Sequence, residues 1–237
     1  MIQQFKLTNK KNLTHNVLEM VFEWEKELDM KPGQFITFLL DWWLGGRAYS
    51  ILKLEWKKVI LIIKKRELNE WWRGWSKVIC ELNIWDELKW VWPAGHFSVK
   101  ETNKNKLFIW TGTWLVPLYN MIVSELEKKK DYKIKLIFWL RNKEDIFYMK
   151  ELDKLKEIYS NFEYHMYISR VKDLHEFKLE HTGNVINSWY TTNYLTKENI
   201  KKFKEVYICW APTMIESVIE KLNKLDFNEN NIFFEKY

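Results

Sequence analysis

The hydrophobic pattern of this 237-residue chain changes its period once, at residues 100–106, and that change limits the fold more than any other feature. Before it come short apolar runs set close together: VLEMVFEW ending at Trp24, then Gln34–Leu40, Tyr49–Leu54, Val59–Lys64 and Glu87–Val91. Strands so closely spaced predict an antiparallel barrel or sandwich. One helix is expected among them, with Ser76 as its N-cap and Val78, Ile79 and Leu82 at helical spacing. Residues 100–106, KETNKNK, read as a polar linker. After it, strands KLFI, KIKLIF and VYIC each lead into a helical pattern. The first helix holds Leu118, Met121, Ile122 and Leu126; the second Phe147, Leu152, Leu155 and Ile158; the third Met214, Ile215, Val218, Ile219 and Leu222. Strand–helix alternation predicts a parallel sheet covered by helices on both faces.

Composition narrows the function classes. At 47% hydrophobic the chain can bury a full core. It has no apolar run of eighteen residues, and its start lacks the basic, apolar, small-residue order of a signal peptide, so a cytoplasmic protein without membrane insertion is expected. Cys80 and Cys209 are too few for a disulfide framework or a four-thiolate cluster, and no metal site is expected. The net charge of +6 comes from scattered lysines with acids interleaved. No basic-aromatic array suggests nucleic acid, and a basic face attracting an acidic electron carrier is the better use of this charge. The aromatic count is anomalous: 15 tryptophans against 7 glycines inverts ordinary usage.

Four segments carry chemistry, each with a plainer reading beside it. Arg47-Ala48-Tyr49-Ser50 offers a guanidinium fork for a pyrophosphate, a phenol for stacking and a hydroxyl for a ring nitrogen; alone it also reads as an ordinary strand. Trp71-Trp72-Arg73-Gly74-Trp75-Ser76 opens a short helix whose free N–H groups suit a phosphate, or is a hydrophobic cluster. It is followed by Pro93-Ala94-Gly95-His96-Phe97, where His96 has no second ligand at metal spacing and reads as structural. Trp110-Thr111-Gly112-Thr113-Trp114 and Cys209-Trp210-Ala211-Pro212-Thr213-Met214 each lie between a strand and a helix, where open α/β sheets bind nucleotides. Cys209 reads equally as inert packing.

In order and together, these segments resemble the ferredoxin-NADP reductase superfamily over nearly the whole chain. RAYS is similar to the family's RxYS flavin motif, the loop ending in Ser76 to its GxxS motif and WPAGHF to GPxGxF. IWTGTWLVP resembles the GTGTGIAP nicotinamide loop, LIFWLRNKEDIFYMKEL resembles LIFGxRxxxDxxYxxEL, and CWAPTM resembles CGxxxM. The resemblance implies an N-terminal antiparallel Greek-key β-barrel for FAD, residues 1–100, and a C-terminal parallel α/β domain for NADP(H), residues 101–237, with the active site in the cleft between them. It implies that Tyr49 stacks on the isoalloxazine, Arg47 holds the FAD pyrophosphate with Ala48 beside it in the cofactor-binding segment, and Ser50 reaches the flavin's reactive nitrogen. Gly74 and Ser76 would serve the FAD pyrophosphate, and Thr111, Gly112 and Thr113 the nicotinamide dinucleotide. Cys209 would sit beside the hydride-donating carbon, and Tyr237 would cover the flavin. Ser169-Arg170 matches the pair that grips a 2′-phosphate, favouring NADP(H) while leaving NAD(H) open. The implied activity is hydride exchange between NADPH and FAD with single electrons passing to ferredoxin or flavodoxin. Alternatives are the reductase component of an oxygenase or other multicomponent system, or a non-catalytic protein on the same fold if the tryptophans at glycine positions are genuine.

The resemblance implies glycine at the positions of Trp72, Trp75, Trp85, Trp92, Trp110, Trp114, Trp139, Trp189 and Trp210. Glycine serves such positions because the backbone takes positive φ or approaches a phosphate. An indole at Trp114 or Trp210 would occupy nucleotide space. A single codon, UGA, read as tryptophan where the source lineage reads glycine, produces this pattern; genuine divergence into a pseudoenzyme is the other account.

Overall fold

The computed structural model describes residues 3–40, 45–66, 74–112, 115–170, 191–210 and 212–236. The chain divides into two compact units, Met1–Ser98 with Tyr119–Met121, and Val99–Leu118 with Ile122–Tyr237.

The first unit is a seven-stranded antiparallel sheet of β1 (Gln3–Asn12), β2 (Val17–Glu23), β3 (Phe35–Leu39), β4 (Gly46–Ser50), β5 (Lys53–Glu55), β6 (Lys58–Lys64) and β7 (Glu87–Ala94). Their order across the sheet is β4-β3-β7-β1-β2-β6-β5, with β7 inserted between β3 and β1. Alternation determines which side chains go inward. On β2 these are Leu18, Met20 and Phe22, which sit opposite Ile63, Leu61 and Val59 of β6. Phe5 and Leu7 of β1, Ile36 and Phe38 of β3 and Trp90 of β7 complete the core. Phe5 stacks on Trp90 at 4.3 Å between ring centroids, and Trp24 meets the same indole edge-on at 5.4 Å. Each such ring contributes about 1.5–3 kcal/mol by leaving water.

Three expectations fail here. The run Tyr49–Leu54 is two strands, because Ile51 donates its N–H to the Gln34 carbonyl while Leu52 donates to Ile60, so the chain changes partner between them. Strand β1 has no counterpart in the hydrophobic pattern; its KLTNKKN stretch hides a strand that buries only Phe5 and Leu7. Ser76 is not a helix cap. The helix α1 (Trp75–Glu81) is capped by Gly74 at φ 75, without a side-chain bond, and the Ser76 hydroxyl accepts the Arg66 N–H at 3.0 Å. Only glycine adopts that left-handed conformation without strain, so the helix starts there. Val78, expected on its apolar face, is 42% exposed.

In the second unit β8 (Lys106–Thr111), β9 (Ile134–Leu140), β10 (Phe162–Ile168), β11 (Glu205–Trp210) and β12 (Ile232–Lys236) form a wholly parallel sheet ordered β10-β9-β8-β11-β12. Helices α2 (Leu115–Glu127), α3 (Met149–Ile158), α4 (Lys197–Ile200) and α5 (Pro212–Asn223) connect the strands. Strands β8 and β9 are buried at every position, as a parallel sheet covered on both faces requires. Ile158, expected to be apolar packing, is instead 69% exposed at the end of α3. The edge strand β12 was not anticipated; IFFEK pairs only with β11 and lacks a clean alternation.

The polar linker ends in a buried charge. Lys106 begins β8 and is fully buried, donating to the carbonyls of Thr102 (3.0 Å) and Lys104 (3.2 Å). The carboxylates of Glu205 and Glu125 lie 3.5 and 3.7 Å from its ammonium, and the Tyr132 ring centroid 4.1 Å away. Burial holds the Lys106 pKa below its usual value, against the pull of both carboxylates. Tyr132 and Tyr207 donate their hydroxyls to Glu125 and Glu205, so both acids are themselves satisfied.

Candidate functional site

Arg47-Ala48-Tyr49-Ser50 forms most of β4, opposite Phe38, Thr37, Ile36 and Phe35 of β3. Strand alternation places Arg47 and Tyr49 on one face and Ala48 and Ser50 on the other. Arg47 is exposed, while Tyr49 is half-buried with its ring 6.0 Å from Phe38. Burial pushes the Tyr49 hydroxyl well above its usual pKa, so it stays a neutral phenol. The Cys80 thiol of α1, pushed up to about 12 by burial, lies near enough to add to that effect. These groups provide one exposed cation and one neutral aromatic face on a single strand. His96 is exposed and belongs to neither feature.

In the second unit the residues singled out in the sequence lie toward the carboxyl ends of the parallel strands. The chain begins at β8, winds outward through β9 to β10, then returns to the other side of β8 with β11 and β12. The direction of winding therefore reverses between β8 and β11, and loops at such a reversal diverge to leave a crevice for a ligand. Thr111 ends β8 and Gly112 follows it; Cys209 lies on β11, directly opposite Trp110 of β8. Gly112 takes φ 57, and a Cβ built there meets no described atom within 4 Å, so a ligand can approach its backbone closely.

Cys209 is fully buried, and its thiol is raised far above the usual value, first by burial and then by Glu235. It is a neutral packing group, not a thiolate nucleophile. Glu235, its register partner on β12, is the half-buried carboxylate nearest to this thiol in the strand pairing, and no sequence motif pointed to it. The available signal was the acid two residues before the terminal Tyr237, but a lone glutamate in FFEKY has no motif of its own. Arg141 was also missed from sequence. The Arg170 N–H donates to the Arg141 carbonyl at 2.8 Å and the Ser169 N–H to Leu140 at 3.1 Å, which sets Ser169-Arg170 beside Arg141 at the ends of β10 and β9.

The structure thus groups Thr111, Gly112 and Cys209 at the reversal point and puts Ser169 and Arg170 two strands away, past β9. Arg47, Ala48, Tyr49, Ser50, Gly74 and Ser76 belong to the other unit. Thr113 and Tyr237, with Trp72, Trp114 and Trp189, lie outside the described residues. Among the tryptophans at family glycine positions, Trp110 and Trp139 are buried strand residues, whereas Trp85 takes φ 80 with 65% exposure. The buried Trp110 indole N–H has no hydrogen-bond partner among the described residues.

Residues 108–220 match the oxidoreductase NAD-binding domain family. Among curated proteins, a subunit of the Na(+)-translocating NADH-quinone reductase of Haemophilus influenzae is 30% identical over 200 residues, covering 81% of this chain and 48% of that one. The same subunit from a Marinomonas species is 31% identical over 166 residues, covering 68% and 40%. The chain spans about half the length of the curated relatives it matches. Among solved structures, the ferredoxin NADP+ reductase of Neisseria gonorrhoeae with bound FAD and NADP superposes with a TM-score of 0.80 at 15% identity, over 99% of this chain and 98% of that one. The Plasmodium falciparum ferredoxin-NADP+ reductase gives 0.78 at 20%, over 100% and 96%. Among the described residues no helix is long and apolar enough to cross a membrane. An antiparallel sheet followed by a five-stranded parallel sheet gives the chain the same fold as these ferredoxin-NADP+ reductases, and residues 108–220 of it are similar to oxidoreductase NAD-binding domains.

Proposed function

We propose that this chain is a flavin-dependent reductase that takes a hydride from a reduced nicotinamide dinucleotide and delivers single electrons to a small acidic carrier such as ferredoxin or flavodoxin. The observation that carries the reading is the reversal point of the parallel sheet, where Thr111 and the open backbone of Gly112 end one strand beside the strand bearing Cys209.

The residues fit the two groups the reading needs. On β4 the Arg47 guanidinium suits a flavin pyrophosphate, the neutral Tyr49 ring suits stacking on a flat heterocycle, and Ser50 offers a hydroxyl to a ring nitrogen. Bound FAD supplies the exchange between two-electron and one-electron chemistry. Thr111 and Gly112 present backbone to the dinucleotide pyrophosphate, and Cys209 fills space beside the nicotinamide as a small uncharged group. Glu235, next to that thiol, is the carboxylate placed to exchange a proton with solvent. Ser169, Arg170 and Arg141 at neighbouring strand ends suit a 2′-phosphate and support NADP(H) over NAD(H).

A second reading has its own support. The curated relatives are named as subunits of an NADH-quinone reductase, and this chain matches about half of each, as the reductase component of a multicomponent system would.

Reconstitution with FAD followed by NADPH and NADH oxidation with ferricyanide as acceptor tests the proposal. We expect one bound FAD per chain and a preference for NADPH, with Arg170→Ala losing about tenfold on NADPH and little on NADH. A preference for NADH that Arg170→Ala leaves untouched favours the second reading, and absence of bound FAD in a folded chain overturns both. Trp114→Gly with Trp210→Gly is expected to tighten nucleotide binding at least tenfold; unchanged binding removes the obstruction expected from those indoles.

A further inference from the structure

Two tryptophans sit in turns whose backbone geometry is reserved for glycine. The first is Trp56. Glu55 of β5 pairs with Lys58 of β6, leaving Trp56 and Lys57 as a two-residue hairpin turn. Trp56 takes φ 52, and Lys57 is not among the residues of positive φ. Positive φ at the first central residue alone marks a type II′ turn, which takes glycine there. The turn cannot relax by rotating its peptides, because the Trp56 and Lys57 carbonyls accept the N–H groups of Leu28 (3.3 Å) and Trp24 (2.9 Å). The indole is 68% exposed.

The second is Trp85. The Asp86 N–H donates to the Asn83 carbonyl at 3.1 Å, closing a four-residue turn with Trp85 in its third place at φ 80. That is the type II position where only glycine, or sometimes asparagine, is unstrained. It too is held, since the Trp85 N–H donates to Leu7 at 2.7 Å and the Leu7 N–H to Asp86 at 2.9 Å. Its indole is 65% exposed and so gains little from packing. An aromatic residue at φ > 0 is a genuine outlier; Tyr148, at φ 62, is a third one but precedes α3, whereas Trp56 and Trp85 hold the glycine places of defined turns.

The glycines present show the same demand. Five of the six described glycines, Gly33, Gly45, Gly74, Gly95 and Gly112, take positive φ. Glycine is scarce here, and Trp56 and Trp85 occupy left-handed places of the same kind. Trp24 and Trp90 behave differently: they are packed against one another in the core with ordinary strand or extended backbone.

We infer that the protein working in its source cell carries glycine at positions 56 and 85, both encoded by a codon that the lineage reads as glycine. The assignment stands on backbone geometry and is independent of the redox reading. Trp56 was singled out by no motif, so it tests the rule at a position chosen only by the fold.

Peptide mass mapping of the protein isolated from its source cells decides the identity. Glycine in both turn peptides is the expected result, and tryptophan in either overturns the inference. A stability series on the recombinant chain checks the geometry separately. Trp56→Gly and Trp85→Gly should each raise the thermal midpoint by about 2–4 °C, the relief of one left-handed residue in a protein of this size. Trp90→Gly should lower it by more than either gain. A fall in the midpoint for Trp56→Gly or Trp85→Gly contradicts the turn assignment.

Discussion

The two units bury different chemistry. Among the described residues the antiparallel unit encloses no charged side chain: its core is Phe5, Phe22, Phe38, Trp90 and aliphatic neighbours. The parallel unit buries Lys106, Glu125, Lys135 and Glu205 alongside its apolar cluster. The physical cause is coverage. A parallel sheet needs helices on both faces, so even the starts of its strands are taken out of water, and a lysine that opens a strand must find partners inside. An antiparallel sheet exposes alternate positions and leaves its lysines in solvent. One core should therefore respond to lost volume and the other also to lost charge.

The largest effects test that contrast directly. Lys106→Met should destabilise the second unit by about 3–5 kcal/mol, because Glu125 and Glu205 lose their buried countercharge. Phe5→Ala should cost the first unit a similar amount, about 3–5 kcal/mol, through the cavity left against Trp90. Denaturant unfolding measures both. If Lys106→Met is neutral, the buried network is dispensable and the contrast between the cores collapses.

A smaller effect depends on pH. His165 of β10 packs edge-on to Tyr194 at 6.0 Å, facing Lys135 and Glu163, and burial followed by Lys135 lowers its pKa to about 4. The unfolded chain takes up that proton from its ordinary value near pH 6.5, while the folded imidazole stays neutral down to about 4. Stability from this group is therefore complete above about pH 6.5 and drains away as pH falls toward about 4. Comparing pH–stability curves of the wild type and His165→Gln isolates it; identical curves would show that the imidazole is not buried as a neutral group. The smallest effect belongs to the exposed Lys224–Glu220 pair at the end of α5, where Lys224→Ala should leave the thermal midpoint unchanged within error.

The sites were legible to unequal degrees. RAYS and TGTW stood out because each combines scarce residue types at fixed spacing, and the fold puts RAYS on β4 and Thr111-Gly112 at the end of β8. Glu235 and Arg141 were not legible, since their meaning comes from strands adjacent in space and distant in sequence. Ser76 misled for a local reason: it is a good cap by type, yet Gly74 two residues earlier accepts the left-handed conformation that starts the helix.

By itself the sequence determined the class of each half, because a period of two or an alternation of strand and helix is a covalent property of the chain. It also carried the deficit of glycine, which is a matter of counting. Only the tertiary structure decided the strand order that reverses between β8 and β11 and so brings Cys209 beside Trp110 and the Thr111-Gly112 turn. Only it showed which tryptophans stand at positive φ, since a backbone dihedral is imposed by the turn's long-range hydrogen bonds and is not written in the residue that must adopt it.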